Sequence, residues 1–255
     1  MVFGAELIAT IPAVTTTLFA IDDSTTWRYD RSGDDLGVLW REKNFVDTSW
    51  PQGKTLIADE TTTTVEPIRT PISRFNDQGV YVVTFYFRHH FDFPGELATA
   101  KLKLRHAVDD GAVFYINGTE VHRFGLAAGA AYDYLTLFGG HENAYEGPFD
   151  LPITSLVQGD NVMAAEVHQS SGSSSDMVFG AEVVATYFPA GGVTPTIPKI
   201  DAPTIQGGTI TIKWTNGGTL YSAPTLNGPW GTTGDSDGSF SETVTGLAKF
   251  YRVQK

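Results

Sequence analysis

Hydrophobic and polar residues alternate through the middle of the chain. Gly79 to Phe93 (GVYVVTFYFRHHFDF) and Lys101 to His106 (KLKLRH) both repeat with period two, which predicts strands with alternate side chains on a common core, Leu102 and Leu104 facing inward. The same alternation places Val113 and Tyr115 before Asn117-Gly118, and Thr119 and Val121 after it. A type I′ turn needs positive φ at both central positions, so Asn-Gly between two alternating runs predicts a β-hairpin. Asn161 to Gln169 and Met177 to Phe188 read as two further strands, with Gly159-Asp160-Asn161 as a turn and Ser170 to Ser175 as a flexible tip. Residues 59–78, rich in Thr, predict a long exposed loop, and residues 124–150 an irregular one packed by Tyr132, Tyr134, Phe138 and Tyr145. Nowhere does a 3.6-residue period stand out, so helix content is expected to be low. The pattern is that of an all-β protein.

Upstream, Trp27, Trp40 and Trp50 fall within 24 residues and require a core or a binding face. Trp50, after the turn-like Asp47-Thr48-Ser49, is expected to fold back onto the sandwich. Met1 to Thr10 (MVFGAELIAT) nearly repeats Met177 to Thr186 (MVFGAEVVAT), differing only at Leu7/Val183 and Ile8/Val184. The first stretch therefore reads as the last strand of a preceding copy of the same domain. Ala190 to Pro198 has the composition of a linker, and four short strand patterns follow it: 209–214, 218–222, 239–245 and 249–253. The expected organisation is an N-terminal strand at 1–14, a β-sandwich at 15–189, a linker at 190–199 and a smaller β-sandwich at 200–255.

Charge narrows the partners. With 17 basic and 29 acidic residues the net charge is −12, which disfavours nucleic acid and anionic membrane surfaces. The 255 residues contain no cysteine, which removes disulfides, thiolate nucleophiles and cysteine-ligated metals. The chain lacks an apolar run of membrane-spanning length, so membrane insertion is not expected. Its N-terminus lacks a basic n-region, so any export signal is expected outside this sequence.

Five separated motifs in order carry a family likeness. They are Tyr86-Phe87-Arg88-His89-His90-Phe91, Asp109 to Gly118, Gly159-Asp160-Asn161-Val162, Glu166-Val167-His168-Gln169 and Ser174-Ser175-Asp176-Met177. Over about residues 15–188 the chain resembles the galactose-binding-like jelly rolls appended to large secreted bacterial proteins. The likeness implies an antiparallel jelly-roll β-sandwich, an extracellular or cell-surface setting and a capacity, frequent in such modules, to bind glycans. The tail, through Ile212-Lys213-Trp214, Leu220-Tyr221-Ser222-Ala223, Gly228-Pro229-Trp230 and Phe250-Tyr251-Arg252-Val253, is similar to small fibronectin-III-like modules.

Catalytic signatures are sparse. His168 with the serines at 173–175 and Asp176 would place a triad on a loop tip too mobile to preorganise it. His89 and His90, adjacent on a strand, point to opposite faces and cannot chelate one metal. Glu166 and Glu182 are expected on adjacent strands, with Arg88, Arg105 and Arg123 as candidate ion-pair partners. The chain is therefore read as a non-enzyme. Acidic turns at Asp22, Asp23, Asp109 and Asp110 suit a structural calcium. Trp214 and Trp230 are expected in the core of the tail. Sugar stacking calls for exposed aromatics beside hydrogen-bonding groups, and Trp27, Trp50, Tyr132, Tyr134, His141, Asn143 and Tyr145 fit that description.

Two functional expectations follow. One is a non-catalytic module of a secreted or surface protein, acting in adhesion or glycan binding with a polysaccharide as partner. The other is a structural repeat or filament subunit, joined head-to-tail to neighbouring copies through Met1, Val2, Phe3, Leu7 and Ile8.

Overall fold

A computed structural model describes residues 13–129, 135, 141–189, 198–245 and 248–254. The chain divides into two units, one spanning Ala13–Ala190 and the other containing Gly191–Lys255.

The larger unit runs through β1 (Val14–Phe19), β2 (Thr26–Asp30), β3 (Gln52–Lys54), β4 (Ile57–Asp59), β5 (Thr70–Pro71) and β6 (Thr84–Phe93). It continues with β7 (Lys101–Asp109), β8 (Gly111–Ile116), β9 (Thr119–Phe124), β10 (Tyr145–Leu151), β11 (Gly159–His168) and β12 (Met177–Tyr187). One sheet has the order β10-β7-β12-β4-β5, with β1 also paired to β12. The other has the order β3-β2-β6-β11-β8-β9. Among the described strands of this unit the β4–β5 pair alone is parallel; the remaining pairs are antiparallel.

Alternation explains how the sheets close. On β6, Phe85, Phe87, Phe91 and Phe93 enter the main core, whereas Tyr86 and Arg88 face the other way. From the opposing sheet β12 contributes Phe179, Ala181, Val183 and Ala185, and the Phe87 and Phe179 rings stack with centroids 3.8 Å apart. Burial of each such large side chain contributes about 1.5–3 kcal/mol. The β8–β9 hairpin closes at Ile116↔Thr119, with Asn117 at φ 49° and Gly118 at φ 86°, as its turn chemistry requires. Asn117 is anchored further: its Oδ1 accepts from Val162 N at 2.9 Å, and its Nδ2 donates to Ser155 O and Asn161 Oδ1, both at 2.8 Å.

The outer face of the β6 sheet is covered by the segment between β2 and β3. A short 3-10 turn, Leu39–Arg41, lays Trp40 on Tyr86 and Tyr115, with ring centroids 4.7 and 5.9 Å away. Arg88, fully buried, pins this segment. Its Nε donates to Asp47 Oδ2 at 2.8 Å and its guanidinium NH groups to the carbonyls of Trp40, Glu42 and Phe45. Trp50 packs against Phe45 at 5.7 Å, so this stretch does fold back onto the sandwich.

In the smaller unit β13 (Lys199–Ile200), β14 (Thr204–Gln206), β15 (Thr209–Thr215) and β18 (Ser239–Thr243) form one sheet around β15. The other has the order β17-β16-β19, from Gly231–Thr232, Thr219–Ala223 and Phe250–Gln254. Ile210, Ile212, Trp214, Leu220, Tyr251 and Val253 are its core.

Several expectations are corrected. Part of the irregular loop is a strand, β10, whose register shifts between Glu146 and Phe149 across Gly147-Pro148, which erases the period-two signal. Glu166 and Glu182 lie in different sheets. Tyr115 donates to Glu166 at 2.7 Å and Arg105 pairs with Glu182 at 3.1 Å, while Arg88 and Arg123 take Asp47 and Glu120. Trp230 is only half-buried and stays outside the small core, with the Arg252 guanidinium 4.5 Å over its ring.

Candidate functional site

Four segments of the larger unit meet at one end of the sandwich: 59–66, 108–111, 141–146 and 169–176. Sheet register brings them there. Met177 of β12 pairs with Asp59 of β4, and Val178 pairs with Asp109 of β7. Glu60, Asp176 and Asp109 thus stand at the same end of three neighbouring strands. One carboxylate oxygen from each lies within 4.8 Å of the other two.

The local contacts fix this arrangement. Asp110 is the clasp: Oδ1 accepts from His141 N at 2.8 Å, and Oδ2 accepts from Ser170 N and, at 3.4 Å, from Ser174 Oγ. Asp109 is 2% exposed, with the Asp110 side chain against it. Burial, together with the negative charges of Asp110 and Asp176, pushes its carboxyl up to about 9. Burial likewise raises Asp176, against the hydroxyl of Ser175. Glu60 uses Oε1 to accept from Thr61 N and Thr62 N, leaving Oε2 buried and without a partner. Gln169, fully buried, donates through Nε2 to the Asp176 carbonyl at 2.9 Å, and its Oε1 has no partner. Tyr81 closes the group, its hydroxyl on Ser174 O at 3.0 Å and its pKa raised to about 12, mostly by burial.

Beside these carboxylates is an open cleft of about 310 Å³, with Thr62, Thr63, Thr64 and Val65 on one wall and Glu142, Asn143 and Ala144 on the other. Asn143 Oδ1 accepts from Val65 N at 3.2 Å and ties the walls together. At the adjoining position Tyr145 donates to Glu66 Oε1 at 2.7 Å, under the Arg105 guanidinium 4.3 Å from its ring. Desolvation, then Glu66, lifts the Tyr145 hydroxyl to about 12. His141 sits with Nδ1 3.2 Å from Val108 O and Nε2 3.2 Å from Glu146 Oε1. A larger recess of about 490 Å³, bordered by Thr17, Asp22, Ser24, Thr25, His89 and Glu182, is separate in its lining.

Of the aromatic set expected to bind sugar, His141, Asn143 and Tyr145 come together here. Tyr132 and Tyr134 lie outside the described residues, as do Met1, Val2, Phe3, Leu7 and Ile8. Trp27 is not available for stacking: it is fully buried between the sheets, edge-on to Phe19 and Phe179, where its apolar area is worth more than on a surface. Trp50 is half-buried on the outer face of the other sheet.

The four aspartates from which calcium ligands were expected are also divided. Asp22 closes its own turn, accepting from Ser24 N and Oγ, which lowers its pKa. Neither it nor Asp23 belongs to the carboxylate group. Asp110 is engaged by its donors, and only Asp109 enters the cluster. Glu60 was missed, and Gln169 and Asp176 were read only as parts of motifs and a serine tip, because Glu60, Asp109 and the 169–176 stretch lie far apart in sequence; strand order alone joins them. His168 faces Thr84 Oγ1 at 3.2 Å and Glu166, while Ser174 faces Asp110 and Asp176, so the serine tip and this imidazole form no triad.

The architecture is that of an all-β protein: a two-sheet antiparallel sandwich and a small second β unit. No protein-family model and no curated protein matches the chain. Among solved structures it is similar to a β-glucuronidase from glycoside hydrolase family 2, at 15% identity and TM-score 0.42, over 96% of this chain and 27% of that one. It is also similar to an uncultured Clostridium sp. β-glucuronidase (13%, TM-score 0.39, 97% and 42%) and a Bacteroides vulgatus β-glycosidase (12%, TM-score 0.40, 90% and 29%). The chain spans less than half the length of each. Likeness of this degree leaves the functional argument to the residues themselves.

Proposed function

We propose that the larger unit is a non-catalytic, galactose-binding-like module that binds carbohydrate at its loop end, as part of a secreted or cell-surface protein. The observation that carries the reading is the open cleft between Thr62–Val65 and Glu142–Ala144. Its rims present threonine hydroxyls, a carboxylate and an amide, the groups that pair with sugar hydroxyls. A hydrogen bond to a charged group is worth about 1.5–3 kcal/mol, so losing Glu142 should weaken binding about 10- to 100-fold. The test is a glycan array followed by calorimetry with the best ligand, comparing the parent chain with Glu142→Ala and with a Thr62→Ala/Thr63→Ala double variant. Retention of a glycan, weakened in both variants, is expected; no retained glycan, or equal binding by all three, overturns the reading.

A second reading, head-to-tail assembly, is favoured by the near-identity of residues 1–10 to β12. Sedimentation of the full chain beside one lacking residues 1–12 tests it. Assembly that survives the deletion removes it.

A further inference from the structure

We propose that Glu60, Asp109 and Asp176, completed by the amide oxygen of Gln169, form a binding site for a divalent cation of calcium's class. Three carboxylates converge from the ends of β4, β7 and the approach to β12, and no described lysine or arginine forms an ion pair with any of them. Acids in proximity are not a site in themselves. What points to a ligand is two buried oxygens with no partner among the described residues: Glu60 Oε2 in the cluster, and Gln169 Oε1 on the side chain bonded to the Asp176 main chain.

Gln169 is the independent member. It is neutral, fully buried and fixed through Nε2 to the main chain of Asp176, yet its carbonyl oxygen has no partner among the described residues. It follows β11 in the opposite sheet, so it approaches the cluster from a different layer. Leaving a buried amide oxygen unpaired is costly, and within a carboxylate cluster a cation answers that cost. Asp109 is 2% exposed, so its carboxyl is held out of water at the centre of the group. Glu60 adds an unpartnered buried Oε2.

Spacing and donor type together suggest the ion. Calcium takes oxygen ligands at about 2.3–2.6 Å, so two ligands on opposite sides of it stand about 4.6–5.2 Å apart. Carboxylate oxygens that all lie within 4.8 Å of one another can share one such shell. The bound also admits magnesium, but magnesium demands a stricter octahedron and keeps several waters, whereas calcium accepts several protein oxygens in a flexible shell. Carboxylates and an amide are hard oxygen donors, with no imidazole or thiolate to favour zinc or copper. Cation binding here would tie the 59–66 segment, the β7 end and the 169–176 segment across both sheets.

The experiment uses the full chain, stripped with chelator and desalted, and needs no glycan; it is independent of the proposed function. Calcium chloride and magnesium chloride are titrated calorimetrically, and thermal unfolding is followed in calcium and in EDTA. One calcium per chain, binding at least tenfold more weakly for magnesium, and unfolding several degrees higher in calcium are expected. Asp176→Asn should weaken calcium binding at least tenfold, as should Gln169→Leu. Asp109→Asn provides a control for folding: in EDTA it should unfold no earlier than the parent, since it removes a crowded buried acid, while losing the calcium-dependent rise. No saturable calcium binding at 10 mM, equal response to magnesium, or an undiminished response in Asp109→Asn and Asp176→Asn would overturn the proposal.

Discussion

Replacing Arg88 by Met should release the segment between β2 and β3 from the sheet it covers, while the core between the sheets stays packed. The guanidinium is fully buried and reaches Asp47 Oδ2 at 2.8 Å, the Glu42 carbonyl at 3.0 Å and the Phe45 carbonyl at 3.5 Å, besides the Trp40 carbonyl. Removing one partner of a buried ion pair costs about 3–5 kcal/mol, because the other charge is stranded. Two features place this case at the lower end. Asp47 retains a second cation, Arg28 Nε at 3.3 Å, and Met preserves much of the stem's packing. The expected loss is about 3 kcal/mol. For a domain of 150–250 residues each kcal/mol shifts Tm by about 2–4 °C, which gives a fall of about 6–12 °C. Thermal unfolding followed by near-ultraviolet circular dichroism measures it, and tryptophan emission should shift to the red as Trp40 meets water. Asp47→Asn and the double variant complete a thermodynamic cycle with a coupling of at least 1 kcal/mol, roughly the lower range for contacting residues. A Tm within 2 °C of the parent with unchanged emission would refute the view that Arg88 holds this segment down.

Acid should destabilise the larger unit through His106, which is fully buried among Phe114, Phe124, Phe149 and His122, its pKa pushed down to about 3 mainly by burial. The unfolded imidazole titrates near 6.5, so between about 6.5 and 3 the unfolded state holds the extra proton. Stability is then lost as pH falls through that window, by up to about 1.4 kcal/mol per pH unit from this group. His106→Phe should flatten the difference in urea midpoint between pH 6 and pH 4; an unchanged pH dependence contradicts this. Asn117→Ala removes three side-chain hydrogen bonds and puts at φ 49° a residue that lacks asparagine's tolerance of the left-handed region, for an expected loss of about 2–4 kcal/mol in urea unfolding. Asn117→Gly should recover the conformational part of that loss, and equal instability of both variants would assign the whole effect to the hydrogen bonds.

Much of the sandwich was legible because strands such as β7 and the second half of β12 alternate buried core positions with more exposed ones. Gly79–Phe93 announces β6 through its phenylalanines, and Asn117-Gly118 announces a turn that few other dipeptides favour. The strand β10 was hidden by Gly147-Pro148, where the register shift breaks the alternation. Trp27 and Trp40 were visible as large apolar groups, but periodicity cannot distinguish the space between two sheets from a covered outer face. The cation cluster lay further from view: Glu60, Asp109 and Asp176 are 49 and 67 residues apart in sequence, and only the lateral order β4-β12-β7 makes them neighbours.

The position of β12 bears on how a copy of its sequence could act. β12 is an interior strand, hydrogen-bonded on one flank to β7 and on the other to β4 and β1. A segment such as residues 1–10 gains those partners only by displacing β12, not by joining an edge. Exchange of that kind must wait for the host sheet to open, so its rate is governed by the host's unfolding and not by encounter. Two consequences can be told apart by kinetics: association would be slow and insensitive to concentration at saturation, and mild denaturant would accelerate it.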